Sequence, residues 1–292
     1  MSQKAPCQQD PDQDEAEEAP DDQAEYDSVL ISSAGDLVAA LANAMGAEFA
    51  PAFNTFCPLI TKYYVCAVCV MVIIASLTHL QKKSRSLGDR SAAIGALAEI
   101  IAGMKSGITP HTELLLQLLF RALSDPEAEV QSNAAFAMGL LVECSDIDLT
   151  PHYLRILSAL QPLFNVAPDS PAARLNAKDN AAGAVSRLIY KNSSVIPFDQ
   201  VMPVFINALP LTNDFLENTA VFRALFHMFR TDTTPLRPYT EKILLVFLRV
   251  LDRNNAEQIT DSIREELIQL IVALNAESPQ AIKEVGLAAY LP

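Results

Sequence analysis

An internal repeat of about forty residues restricts the fold of this chain more than any other feature of its sequence. One motif, rich in alanine and other small residues, occurs four times without gaps, and its copies begin 42, 47 and 38 residues apart. The copies are RSAAIGALAEI from Arg90, SNAAFAMGLLV from Ser132, DNAAGAVSRLI from Asp179 and ENTAVFRALFH from Glu217. Because small side chains allow helices to approach closely, each copy predicts one tightly packed helix.

A second motif, which begins with proline, follows each copy of the first at a similar distance. Its prolines are spaced 41, 46 and 41 residues apart, at Pro110, Pro151, Pro197 and Pro238. Since proline is favoured at the first position of a helix, we expect Thr109 and Thr150 to cap the helices that follow them. Helix pairs with this period are typical of HEAT or armadillo arrays. The predicted fold is all-α: a HEAT-repeat α-solenoid, which is a right-handed superhelix of antiparallel helix pairs.

Acidic side chains are concentrated at the N-terminus. Residues 1–27 contain ten acids and one base, and so supply −9 of the net charge of −14. We predict that this segment is disordered, because it has too few large apolar side chains to offset the entropy of ordering. It is either a solvating tail or an arm that attracts a basic ligand. The negative charge disfavours nucleic acid and anionic membranes as direct partners and favours a basic protein.

Composition and motifs argue against an enzyme. The chain has only 9 glycines, whereas phosphate-binding loops and β-hairpins require many. It contains no P-loop, dinucleotide-binding, serine-hydrolase or H-E-x-x-H pattern. Cys66 and Cys69 form a C-x-x-C motif, but a zinc site needs two further ligands at a workable spacing, and Cys57 and His79 are isolated. We therefore predict no catalytic residue, no cofactor and no metal site.

Residues 65–81 interrupt the repeat. They carry no charge, and they lengthen the interval from Pro51 to Pro110 to 59 residues, which would be 42 without these 17. We hypothesise a retained intron translated in frame, because the first two codons can read GTATGT and the last can read CAG, which are usual intron ends. The alternatives are a genuine insertion that lengthens a helix or its exit loop, and a membrane anchor, although a span needs ~20 apolar residues. The predicted domains are an acidic segment at 1–27, a first helix pair at 28–64, the insertion at 65–81 and repeats at 82–292.

Three runs of consecutive residues are more specific than the repeat itself. They are Phe49-Ala50-Pro51, KYY followed after the insertion by KKSRSLGDRSAAIGALAEI, and KDNAAGAVSRLI. These runs resemble the C-terminal HEAT repeats of importin-beta family karyopherins of the importin-4 type, and the resemblance extends over 22–292 apart from the insertion. It implies that the RanGTP-binding repeats of the family are missing from this chain. A chain that begins in this way is expected to expose an apolar face on the helix near 28–45.

The resemblance also implies a function. Members of this family are nuclear import receptors that bind basic cargo, such as ribosomal proteins and histones, on a concave HEAT surface. They contact FG nucleoporins on the outside, release cargo to RanGTP, and shuttle between cytoplasm and nucleus through the nuclear pore. The alternative is a generic HEAT-repeat scaffold that joins proteins without a role in transport.

By the same resemblance, the helices that begin with proline are the inner ones. The third residue after each proline is polar in four of five cases, so we expect this column to face solvent: Asn54, Glu113, Leu154, Gln200 and Glu241. We predict that five acidic or amide residues accept hydrogen bonds from cargo lysines and arginines: Asn54, Glu113, Asp199, Asn207 and Glu241. An ordinary solvated helix face is the alternative for these residues.

Asparagine recurs at one column of the alanine-rich motif, at Asn133, Asn180 and Asn218. Side-chain amides can bond a neighbouring backbone as readily as a ligand. We expect these three to stabilise adjacent repeats rather than to bind a partner.

Overall fold

The computed structural model describes residues 21–64 and 86–291, and every regular element within these ranges is a helix. The helices form two compact units, one up to Ile147 and one from Asp148 onwards. The predicted insertion at 65–81 and residues 1–20 of the predicted acidic segment lie outside the described residues.

The described residues of the first unit form five α-helices. They are α1 (Asp21–Met45), α2 (Ala50–Tyr64), α3 (Leu87–Met104), α4 (Thr112–Leu123) and α5 (Ala128–Cys144). Helix α3 packs against α1, α2 and α5, and α4 packs against α5. The contact between α1 and α3 is close, because a methyl group added at Gly103 would lie 2.6 Å from the backbone nitrogen of Asn43.

The second unit contains seven α-helices. They are α6 (Tyr153–Leu160), α7 (Ala172–Lys191), α8 (Phe198–Asn207), α9 (Asn218–Thr231), α10 (Thr240–Leu251), α11 (Asp261–Glu277) and α12 (Pro279–Val285). Helix α7 packs against α9, and α12 packs against α10 and α11. The chain leaves α12 at Gly286, whose φ of 92° suits glycine at a helix end.

The helices follow the predicted repeat. The four alanine-rich motifs lie in α3, α5, α7 and α9, which we call the alanine-rich helices. The motif prolines begin or immediately precede α2, α4, α6, α8 and α10, which we call the proline-led helices. The two kinds alternate along the chain, and the predicted all-α HEAT-repeat fold is confirmed.

Side chains of the alanine-rich helices join successive repeats. This confirms the prediction for two of the three asparagines, Asn133 and Asn218. The Asn133 Nδ2 group donates to the backbone oxygen of Ser91, in the preceding repeat, at 2.9 Å. The Asn218 Nδ2 group donates to the backbone oxygen of Gln258, in the following repeat, at 2.8 Å. A bidentate ion pair between Arg90 and Asp125 adds a further link in the first unit, with N–O distances of 2.9 and 3.0 Å.

The predicted helix caps at Thr109 and Thr150 are wrong. Each proline lies in a short 3-10 turn, so the α-helices begin later, at Thr112 and Tyr153. The Thr109 hydroxyl instead accepts the backbone N–H of Asp146, at 3.1 Å. The backbone N–H of Thr150 donates to the carboxylate of Asp148, at 3.0 Å.

The predicted start of the helical part also needs correction. Helix α1 begins at Asp21, so residues 21–27, which the composition predicts to be disordered, are helical. Acidic residues at a helix N-terminus complement its macrodipole and so favour the helix, an effect that composition alone does not show.

One stretch of the described residues, Leu87–Leu123, is long and apolar enough to cross a membrane by length and composition alone. Half of its apolar window is buried, and it consists of α3 and α4 joined by the turn Lys105–His111. Its buried apolar side chains belong to the core of the first unit.

The predicted apolar face on the first helix is confirmed. Large apolar side chains of α1 at spacings of four and seven residues are exposed, at Leu30, Leu37, Leu41 and Met45. This spacing places them on one side of the helix. An uncovered apolar stripe of this kind favours association with other proteins or with further copies of the chain.

We therefore expect Leu37→Glu to reduce self-association of the chain, because it puts a charge in the centre of the α1 stripe. Sedimentation velocity at increasing protein concentration measures the effect. Leu154→Glu on α6 is a matched control, since the two leucines are 63% and 64% exposed. Equal effects of the two substitutions would show that the α1 stripe has no special part in association.

Candidate binding surface on the proline-led helices

The predicted solvent-facing column is exposed on every proline-led helix. It comprises Asn54 on α2, Glu113 on α4, Leu154 on α6, Gln200 on α8 and Glu241 on α10. Other positions of the same helices are buried, among them Phe53, Leu116 and Phe205. The prediction of a solvated column is thus confirmed, and its apolar member Leu154 is exposed like the polar ones.

All three predicted carboxylates lie in the first turn of their helices. These are Glu113, Asp199 and Glu241. A carboxylate at this place stabilises the helix by complementing the macrodipole, typically by about 0.3–1 kcal/mol. The Gln117 Nε2 group donates to Oε1 of Glu113 at 3.0 Å and so orients that carboxylate across one turn of α4. Tests of a binding role must separate it from this effect on helix stability.

Asn207 is the last residue of α8, about 12 Å along the helix from Asp199. Its side-chain oxygen accepts a hydrogen bond from Nζ of Lys242 at 2.7 Å, which joins α8 to α10 next to Glu241. A cargo lysine would have to displace Lys242 to use this oxygen. The second unit thus brings Asn207 close to the helix that carries Glu241, while Asn54 and Glu113 belong to the first unit.

The sequence analysis missed a set of exposed leucines on the same helices. They are Leu59, Leu114, Leu154 and Leu245. They stand eight, four, three and seven residues after the motif proline, positions that share one face of a helix. A helical-wheel comparison of the proline-led motifs could have found them, but leucine in an apolar helix is usually assigned to the core.

Carboxylate, amide and leucine side chains together suit lysine and arginine. The charged ends of these residues bind carboxylates through charge-assisted hydrogen bonds. Their aliphatic stems cover apolar surface, such as exposed leucines. The exposed face of the proline-led helices therefore has the chemistry of a surface for basic, flexible peptide segments.

The histidines and cysteines of the described ranges do not form a metal site there. No group of three or more His, Cys, Asp or Glu residues in those ranges could hold an ion. The His111 ring lies edge-on to that of Phe53, with 4.8 Å between centroids, and burial lowers the pKa of His111. Burial raises the pKa of the Cys57 thiol to about 11, which keeps it protonated. The C-x-x-C motif of Cys66 and Cys69 lies outside the described residues.

Comparison with known proteins identifies relatives that share most of this chain. No protein-family model matches it. A protein of Schizosaccharomyces pombe named "Probable importin subunit beta-4" is 38% identical over 250 residues, which cover 86% of this chain and 21% of that protein. "Importin-4" of Homo sapiens is 29% identical over 260 residues, 89% of this chain and 22% of that protein. "Importin-4" of Mus musculus is 29% identical over 249 residues, 85% of this chain and 19% of that protein.

These alignments agree with the fold and with the runs of residues that first suggested the family. The chain spans about a fifth of the length of the relatives that it matches. Within that part, the similarity covers both helical units. The chain belongs to the importin-beta family.

Proposed function

We propose that this chain is a cargo-binding part of a nuclear import receptor. The relatives are named importins, and the observation that carries the proposal is the exposed acidic and leucine-bearing face of the proline-led helices. The cargo is a protein with segments rich in lysine and arginine, such as a ribosomal protein or a histone. The receptor moves between cytoplasm and nucleus through the nuclear pore.

The proposal assigns the remaining partners to other surfaces. FG nucleoporins bind the outside of the helical array, and RanGTP acts through other repeats of the receptor. Both assignments rest on the family alone.

At the binding surface, Glu113, Asp199 and Glu241 accept N–H groups of cargo lysines and arginines, and Asn54 adds a neutral acceptor. Gln117 holds the Glu113 carboxylate in place before cargo arrives, which lowers the entropy cost of binding. Asn207 contributes once Lys242 has moved away from it. The neighbouring leucines contact the aliphatic stems of the same cargo side chains.

Removing single carboxylates tests the proposal. We expect Glu113→Gln and Glu241→Gln each to weaken binding of a fluorescein-labelled peptide rich in lysine and arginine by roughly two- to fivefold at low salt, the usual range for exposed ion pairs. Fluorescence anisotropy measures the affinity. The effect should shrink as salt is added, because ions screen exposed charges.

Two acids on other helices serve as matched controls. Glu129 and Asp261 are exposed and lie in the first turns of α5 and α11, so Glu129→Gln and Asp261→Asn change the helix dipole and the net charge in the same way. We expect these two to leave the affinity nearly unchanged. If all four variants bind alike, the carboxylates only stabilise helices. If the unaltered chain binds no basic peptide at low salt, the generic scaffold is the better account.

A further inference from the structure

The second unit contains a groove of about 760 Å³, in which Asn207 is the one lining residue that also belongs to the proposed cargo residues. Its wall is formed by the turn and loop after α6, one side of α7, the end of α8 with the loop that follows it, and one residue of α10. The apolar part of the wall includes Phe164, Leu175 and Val204, which are half-buried. Amide groups of Asn165 and Asn207 border it. A groove with an apolar wall and amide groups has the shape and chemistry to hold an extended peptide.

The charged side chains in the wall of this groove are both cationic. They are Lys178 on α7 and Arg249 on α10, and none of the residues that line the groove in the described part of the chain is a carboxylate. Arg249 is exposed. Lys178 is held at its place, since Nζ lies 3.4 Å from the Thr212 hydroxyl and 3.8 Å from Oδ1 of Asp179.

Asp179 is the acidic group next to the groove, but it is buried and already bound. Its Oδ2 atom accepts the backbone N–H groups of Thr212, Asn213 and Asp214. Its exposure is 0%, so no ligand in the groove meets this carboxylate directly. A third cation, Lys242, lies at the border of the groove through its bond to Asn207.

This cationic groove is unusual within an acidic chain. The net charge is −14, but residues 148–292 hold 15 acids and 13 bases and so contribute only −2. The unit that carries the groove is therefore close to neutral, and the two charged side chains that line the groove are both positive. A basic peptide would be repelled from Lys178 and Arg249, so the groove does not suit the ligand of the proline-led face.

We propose that this groove binds an acidic peptide segment of a partner protein, in which carboxylates alternate with apolar side chains. The apolar side chains contact Phe164, Leu175 and Val204. The carboxylates bond to Arg249 and to Lys178. Amides of Asn165 and Asn207 hydrogen-bond the peptide backbone. The groove shares Asn207 with the proposed cargo residues, but it takes a ligand of opposite charge.

The test uses the full chain and a fluorescein-labelled peptide in which glutamate alternates with leucine. We expect fluorescence anisotropy to show binding, and Arg249→Gln to weaken it about tenfold, the scale of one lost charge-assisted hydrogen bond. Lys283→Gln is the matched control, since Lys283 is also exposed and also lies in the last turn of its helix, α12. It should leave the affinity unchanged. Arg249 is preferred to Lys178 for this test because Lys178 also neighbours Asp179.

A second variant tests the apolar wall. Val204→Glu places a carboxylate in the groove and should abolish binding of the glutamate–leucine peptide, while circular dichroism shows whether the helices are retained. A peptide in which lysine alternates with leucine should not compete for the groove. The proposal is overturned if the glutamate–leucine peptide does not bind at low salt, if Arg249→Gln and Lys283→Gln behave alike, or if the lysine peptide competes equally.

Two other occupants of the groove would give different results, and either result would contradict the proposal. Six acids of the N-terminal segment can be replaced by their amides, at Asp10, Asp12, Asp14, Glu15, Glu17 and Glu18. If this change strengthens peptide binding tenfold, the chain's own acidic segment occupies the groove and the assignment to a partner is wrong. If the affinity for the peptide falls as the chain dimerises at higher concentration, a second copy occupies the groove, which also contradicts the proposal.

Discussion

Replacing Asp179 by alanine is expected to lower the free energy of unfolding by about 3 kcal/mol, because several charge-assisted hydrogen bonds are lost together. The carboxylate is buried, and its Oδ2 atom accepts three backbone N–H groups at 2.9, 2.7 and 3.1 Å. These N–H groups belong to Thr212, Asn213 and Asp214, in the loop that leads into the next repeat. Without the carboxylate, α7 no longer holds that loop.

Urea denaturation followed by circular dichroism measures this change as a shift of the midpoint at constant slope. Asp169→Ala is the control, since Asp169 is an exposed aspartate in the loop before α7. Its effect should stay within about 0.5 kcal/mol, as for most surface substitutions. A loss below about 1 kcal/mol for Asp179→Ala would mean that water replaces the carboxylate as the partner of the three N–H groups.

Gly183→Ala is expected to be at least as damaging, with a loss of about 3–5 kcal/mol, the usual cost of breaking a buried ion pair. A methyl group at Gly183 would overlap with Oε2 and Cδ of Glu217. The Glu217 side chain is only 2% exposed and makes a bidentate ion pair with Arg187, in which Nη2 donates to Oε1 at 2.9 Å. The added methyl group would therefore displace the Glu217 carboxylate from its ion pair with Arg187.

A double-mutant cycle checks this explanation. If the damage arises from displacing Glu217, Gly183→Ala combined with Glu217→Ala should be no less stable than Glu217→Ala alone. Gly95→Ala in α3 is the control, because its nearest neighbour would be Nδ2 of Asn133 at 3.2 Å, a contact that small shifts relieve. Additive losses in the cycle would show that the methyl group disturbs the α7–α9 contact in some other way.

The repeat predicted the helices because close packing between helices requires small residues at a regular spacing. Small residues of the motif lie in the helices that pack together within each unit, α3 against α5 and α7 against α9. The ends of helices were predicted less well: Thr109 and Thr150 have the residue type of a cap, but the 3-10 turns that hold Pro110 and Pro151 delay each helix. Local sequence does not distinguish a threonine that caps an α-helix from one that lies in such a 3-10 turn.

The ion pairs between repeats, unlike the asparagine links, could not be predicted from the sequence. Arg90 and Asp125 are 35 residues apart, and Arg187 and Glu217 are 30 apart. Whether these residues pair depends on the length of each helix and on where the chain turns between them. The same holds for the cationic groove, since Lys178 and Arg249 come from helices separated by two others.

The candidate binding surface was predicted in part. The column of Glu113 and Glu241 is exposed as expected, because polar residues in apolar helices mark the solvated side. The leucines beside them were not predicted. Leu114 and Leu245 are exposed, but leucine in an apolar helix is usually buried, so residue type alone does not identify them.

The central claim, that the proline-led helices bind basic cargo, is tested most directly by photo-crosslinking. Benzoylphenylalanine replaces Leu114 or Leu245 on the proline-led helices, or Val272 on α11 as a control, all three being exposed apolar residues. A labelled peptide rich in lysine and arginine is then added at low salt and irradiated. The account predicts crosslinks from positions 114 and 245 that are several times stronger than those from position 272. Equal crosslinking from all three positions would contradict it.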